Sequence, residues 1–131
     1  MRQLMDIAED ARRVKHAVAA LGTNDKNRGL LAIADALVSH ADEIIAANRI
    51  DIENGRANGL NDGLIDRLTL DEKRIAGIAE GCRQVAALPD PIGEVLWMRK
   101  TPNGLNIGQK RVPMGVIGII YEARPNVTAD A

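Results

Sequence analysis

Chemistry-bearing side chains gather behind one apolar run, where Val116-Ile117-Gly118-Ile119-Ile120 leads directly into Tyr121-Glu122-Ala123-Arg124-Pro125-Asn126. Strand, polar loop and helix start is the order in which open parallel sheets hold ligands, at the carboxyl ends of their strands. The helix expected to begin at Asn126-Val127-Thr128-Ala129, with Asn126 or Thr128 as its cap, would present free amides and a positive dipole end to an anion. The run lacks the Gly-x-Gly-x-x-Gly fingerprint of a dinucleotide loop, so the pattern alone leaves the chemistry open.

The remaining reactive side chains read as structural. Cys82 is the single thiol, and it falls mid-helix on the apolar stripe of Ile75, Ile78 and Val85, where a cysteine packs as a small hydrophobe. A nucleophile would need exposure and a lowered pKa. His16 and His40 are far apart and make no metal-ligand spacing with Cys82, so no metal site is expected. Arg99-Lys100 and Lys110-Arg111 lie on strand-like runs, where they offer a cationic face or simply guard a solvated edge against aggregation.

The elements that must position these residues are mostly helical. Leu4, Ile7, Ala8, Ala11, Val14, Val18 and Leu21 recur at helical steps before Gly22. A second stripe through Leu30, Ala34, Leu37, Ala41 and Ile44 predicts a longer helix ending near Asn48. A short helix over residues 51–58 stopped by Gly59, and a brief turn capped by Asn61, follow as connectors. Thr69 or Asp71 opens a further helix that Pro89-Asp90-Pro91 forbids from continuing. Residues 94–101 and 105–112 read as a two-stranded ribbon turning at Asn103-Gly104, with positive backbone dihedrals there. Such a ribbon is marginal alone, so Val95, Trp97, Leu105 and Ile107 should find cover on another domain or subunit, and a homo-oligomer is the natural inference. The run 116–120, apolar apart from Gly118, fits a strand covered on both faces.

Composition narrows the classes. The 131 residues are 46% hydrophobic and 27% charged, with no Phe and one each of Trp and Tyr. That is a globular balance with few surfaces for base stacking. A net charge of -1 gives no overall attraction to nucleic acid or anionic lipid, so neither is an expected partner. No stretch approaches the roughly 20 apolar residues of a membrane span, and residues 1–10 lack a signal-peptide core, so a cytoplasmic protein is expected.

Pro113-Met114-Gly115-Val116-Ile117-Gly118 resembles the Pro-x-Gly-Val-x-Gly strand of the aldehyde dehydrogenase superfamily. Its continuation through Tyr121-Glu122-Ala123-Arg124-Pro125-Asn126-Val127-Thr128-Ala129-Asp130-Ala131 is similar to the signature of gamma-glutamyl phosphate reductases, as are Leu64-Ile65-Asp66-Arg67-Leu68 and the stretch from Arg83 to Pro91. The resemblance implies an α/β fold: the N-terminal part of an aldehyde-dehydrogenase-like architecture, mostly helical, with a β-ribbon and the first strand of a Rossmann-like sheet. Residues 1–91 would form helices of the cofactor domain, 92–112 the ribbon of an oligomerisation sheet, and 113–131 the first strand and helix start of the core.

The implied activity is NADPH-dependent reduction of glutamyl 5-phosphate, a small-molecule substrate, to glutamate 5-semialdehyde and phosphate in proline biosynthesis. In the family a cysteine thiolate from a later domain attacks the acyl phosphate and the resulting thioester is reduced. Cys82 lies upstream of the first sheet strand, so this chain alone is expected to lack the nucleophile and to be inactive. The resemblance puts Tyr121, Glu122 and Ala123 on the cofactor cleft, Arg124 against a substrate carboxylate or phosphate, and Asn126 as the amide that stabilises an oxyanion. By simple counting Arg124 takes the place of the superfamily asparagine, so Asn126 serves only if the loop shifts. The alternative reading of Arg124 and Asn126 is that they only shape and cap the turn. Two other classes stay open on residues alone: a noncatalytic helical interaction module, and a related aldehyde or acyl-phosphate dehydrogenase.

Overall fold

A computed structural model describes residues 3–131. Six helices and two strands follow in the order α1 (Leu4–Ala19), α2 (Thr23–Ser39), α3 (Ala41–Ala57), α4 (Asp62–Leu68), α5 (Glu72–Ala86), β1 (Val95–Lys100), β2 (Asn106–Lys110) and α6 (Val127–Asp130). The described residues divide into two compact units, one made of residues 3–23 with 89–118, the other of 24–88 with 119–131.

In the first unit, α1 stops just before Gly22 as its periodicity predicts, but its apolar stripe stays exposed at Leu4, Ile7, Val14 and Val18. The ribbon pairs β1 with β2 antiparallel, with an irregularity between Val95 and Trp97. The turn differs from a two-residue hairpin. Only Gly104 takes positive φ, at 89°, and its amide donates to the Thr101 carbonyl while the Thr101 amide donates to that of Leu105. Pro102 explains this: its ring fixes φ at the second position of an ordinary turn, leaving Gly104 alone to take the left-handed step that returns the chain. Across the ribbon the Trp97 indole donates to Gln109 Oε1 at 2.9 Å, and the Arg99 guanidinium lies 5.5 Å from the Trp97 ring centroid. The run 113–118 that follows makes no ladder among the described residues.

The second unit holds the core. Ala34 of α2 packs with Ala79 and Cys82 of α5, with Leu37 against them, so Cys82 is the packing residue its stripe position predicts. Arg83 reaches Asp35 across the same pair of helices at 3.1 Å. The long helix expected to end near Asn48 is corrected: the break falls at His40, and α3 then continues without interruption through Asn48 to Ala57. Neither Gly nor Pro marks the break. The Ser39 hydroxyl donates to the Ala36 carbonyl, which also keeps its ladder bond from the His40 amide at 3.0 Å, and the departure comes at His40 itself, with φ -106° and ψ 18°.

Asn48 does not end a helix because its side chain is committed elsewhere. It is 4% exposed, its Nδ2 donates to the Leu68 carbonyl at 2.9 Å, and its Oδ1 accepts from the Leu70 amide at 2.7 Å. One buried amide thus satisfies both backbone groups of the α4–α5 connection. The caps on either side follow the sequence: Asn61 Oδ1 accepts from the Leu64 amide and Asp71 Oδ1 from the Arg74 amide. Gly55 lets the following connection and α4 approach α3, since a Cβ there would lie 2.9 Å from Leu60 Cδ1 and 3.2 Å from Ile65 Cδ1.

Candidate functional site

Residues 119–131 return to the helical unit and finish one side of an open cavity of about 450 Å³, lined by Asp66, Arg67, Thr69, Leu70, Arg74, Gly77, Ile78, Arg124, Asn126 and Asp130. Its two walls are built differently. One is the end of α4 with the start of α5; the other is the loop before α6, a helix that packs against α5.

The α4–α5 wall is heavily braced. Asn48 holds residues 68 and 70, and the Thr69 hydroxyl donates to the Ile65 carbonyl at 2.7 Å. Arg74 spans the connection, donating from Nη1 to the carbonyls of Asp66 and Thr69 and from Nη2 to Asp66 Oδ1 at 2.8 Å. Its fork is therefore spent on its own wall. Arg67, on the last turn of α4, is exposed and makes no ion pair or hydrogen bond through its side chain among the described residues.

On the facing loop, Ala123 takes φ 51°, the one positive value outside glycine among the described residues. A non-glycine residue in the left-handed region costs of order 1 kcal/mol and marks a backbone held in place by its surroundings. The loop's hydrogen bonds supply the hold: Tyr121 Oη pairs with Thr128 Oγ1 at 2.6 Å, and the Val127, Thr128 and Ala129 amides donate to the carbonyls of Arg124, Pro125 and Asn126. Those first-turn amides are thereby engaged, so the expectation that the helix start presents free donors to an anion does not hold for this short turn.

The capping expectation is corrected as well. Asn126 sits at the position before the helix but with helical dihedrals, φ -62° and ψ -31°, so its side chain runs along the helix. Its Nδ2 donates to Asp130 Oδ2 at 2.6 Å rather than its oxygen accepting from the first turn, and Thr128 is taken up by Tyr121. An amide nitrogen carries two hydrogens, so the bond to Asp130 orients the group and leaves one donor for another acceptor.

The structure thus brings Arg124 and Asn126 to one cavity, while Tyr121, Glu122 and Ala123 lie outside its lining. Arg67, Asp66 and Asp130 join the site without having been singled out by chemistry. The available signal was the capped pair Asn61 and Asp71, which brackets a short polar turn containing Asp66-Arg67. Arg99, Lys100 and Lys110 stay on the exposed ribbon, and Arg111 pairs with Glu94 at 2.7 Å. His40 is exposed, with Nδ1 3.4 Å from Glu43 Oε1.

No protein-family model matches the chain. Whole relatives match strongly. The gamma-glutamyl phosphate reductase of Lachnospira eligens is 55% identical over 131 residues, all of this chain and 32% of that protein. That of Halothermothrix orenii is 55% identical over 129 residues, 98% of this chain and 31% of that protein. Among solved structures, the gamma-glutamyl phosphate reductase of Thermotoga maritima superposes with a TM-score of 0.93 at 41% identity, covering 98% of this chain and 31% of that one. The Saccharomyces cerevisiae enzyme gives 0.87 at 33% identity, covering 99% and 33%. The chain spans about a third of the length of the relatives it matches, and along its whole length it is similar in sequence and in fold to an N-terminal portion of the gamma-glutamyl phosphate reductases.

Proposed function

We propose that this chain works as part of an enzyme that reduces glutamyl 5-phosphate to glutamate 5-semialdehyde and phosphate with NADPH, a cytoplasmic step of proline biosynthesis. The observation that carries the reading is the unbroken similarity: at 55% identity over 131 residues it includes the loop 121–126 as well as the helices. In this reading Arg124 meets an anionic group of the substrate and Asn126, oriented by Asp130, offers its remaining N–H to the carbonyl oxygen as negative charge develops there.

The cofactor's fit is partial. Tyr121 and Glu122 are exposed polar side chains at the end of the apolar run, and the left-handed turn at Ala123 redirects the chain before α6. That suits them to line a cleft and supplies no grip on a pyrophosphate. When bound, NADPH supplies the hydride. Cys82 is buried in the α2–α5 core, so the nucleophile of the reaction is assigned elsewhere and the 131 residues alone are inactive. The ribbon of 92–112, with Trp97 and Ile107 over two-fifths exposed, is proposed to be covered in a homo-oligomer.

The test is phosphate-dependent reduction of NADP by glutamate 5-semialdehyde, using protein expressed from the complete reading frame. Turnover that requires both phosphate and semialdehyde is expected. Turnover with simple aldehydes and no need for phosphate would replace the reading with a general aldehyde dehydrogenase.

A further inference from the structure

The charged groups around the cavity do not balance. Asp66 is paired with Arg74 at 2.8 Å, whereas Asp130 accepts from the neutral Asn126 amide at 2.6 Å and keeps its charge, so three arginines against two carboxylates leave one net positive charge on the cavity. Arg67 and Arg124 remain, on opposite walls, and neither makes an ion pair or a side-chain hydrogen bond among the described residues. Both guanidiniums line one depression, and an anion bound there can accept hydrogen bonds from both.

The backbone that carries Arg67 is fixed on both sides. Asn48 fixes the chain at residues 68 and 70, and Arg74 binds the Asp66 carbonyl and carboxylate immediately before it. The volume, about 450 Å³, is that of a small-ligand site.

We propose that Arg67 and Arg124 together form the receptor for an oxyanion of the substrate, a phosphate or a carboxylate gripped by two planar forks. Arg67 is then a specificity-determining residue contributed by the helical segment. This rests on the reductase reading above, under which the substrate carries both kinds of anion.

The experiment uses protein from the complete reading frame, as wild type, Arg67→Ala and Arg67→Lys. KM is measured separately for phosphate and for glutamate 5-semialdehyde in the phosphate-dependent direction. A charge-assisted pair lost from binding raises KM by about tenfold or more. A rise confined to phosphate assigns the cradle to the phosphoryl group, and a rise confined to semialdehyde assigns it to the carboxylate. Arg67→Lys should recover part of either loss, and kcat should change little. Unchanged constants for both ligands in a folded Arg67→Ala protein overturn the proposal.

If wild type shows no turnover, the reductase reading fails on its own, and calorimetric titrations with inorganic phosphate and with glutamate still decide the site. Binding of either anion to wild type weakened about tenfold in Arg67→Ala sustains it, and equal or absent binding of both anions in the two proteins overturns it. Should Arg67→Ala fail to fold, Arg67→Gln, which keeps a long polar side chain without the charge, carries the same comparison.

Discussion

Replacing Asn48 with alanine would remove two hydrogen bonds at once from a site that is 4% exposed, the donation to Leu68 at 2.9 Å and the acceptance from Leu70 at 2.7 Å. The side chain leaves, but the two backbone groups stay. A buried donor or acceptor stripped of its partner costs about 1–3 kcal/mol, more than a hydrogen bond contributes when both partners go together. Leu68 and Leu70 are only half-buried, so water can partly replace the amide, and the lower part of the range applies. The expected loss is about 2–4 kcal/mol, a large share of the stability of a domain this size. Asn48→Asp keeps an acceptor for Leu70 but sets a carboxylate oxygen against the Leu68 carbonyl and buries a charge, and should be at least as destabilising as alanine. Urea unfolding measures the global loss. Amide exchange at Leu70, read by NMR, measures the local one: a 2 kcal/mol weakening corresponds to roughly thirty-fold faster exchange at about 1.4 kcal/mol per decade. A change below about 0.5 kcal/mol with Leu70 exchange unaltered would refute the clamp.

Three further outcomes follow from single contacts. Asp71→Ala removes the cap on the Arg74 amide and should cost about 1 kcal/mol in thermal or urea unfolding, with Asp71→Asn close to wild type. Gly108→Ala places a methyl carbon 2.9 Å from the Trp97 carbonyl oxygen, which is backbone and cannot rotate away; the ribbon should shift, with changed tryptophan fluorescence and a lower midpoint of unfolding. Cys82→Ser in protein from the complete reading frame should spare turnover while lowering stability by about 1 kcal/mol or more for the buried hydroxyl, and loss of turnover at unchanged stability would make Cys82 part of the chemistry.

What could be read from the sequence were the features written in adjacent residues. Gly22, Asn61, Asp71 and Pro89 each mark a helix end by local stereochemistry, and the structure places ends beside all of them. The break at His40 carried no such mark, since neither Gly nor Pro stands beside it. Asn48 misled for the opposite reason: a polar residue that would ordinarily signal a helix end is buried by a tertiary partner distant in sequence. At the hairpin, Asn103-Gly104 gave the turn and Pro102 decided its length. The run 116–120 has the texture of a covered strand, yet Ile117, Ile119 and Ile120 stay exposed, since ladder partners for such a strand come from other strands and only β1 and β2 pair among the described residues. In the site, Arg124 and Asn126 were legible because they follow that run directly. Arg67 was not, because its relation to Arg124 exists only once α4 is clamped to α3 and α6 lies on α5.

The most direct test of the account is kcat of Asn126→Ala, measured beside wild type in protein from the complete reading frame as phosphate-dependent NADP reduction with glutamate 5-semialdehyde. If the loop after the apolar run stabilises the developing oxyanion, kcat falls by about 10² to 10³ while KM for phosphate changes little. An Asn126→Ala enzyme with kcat within twofold of wild type would contradict that placement and reduce the 121–126 loop to a structural turn.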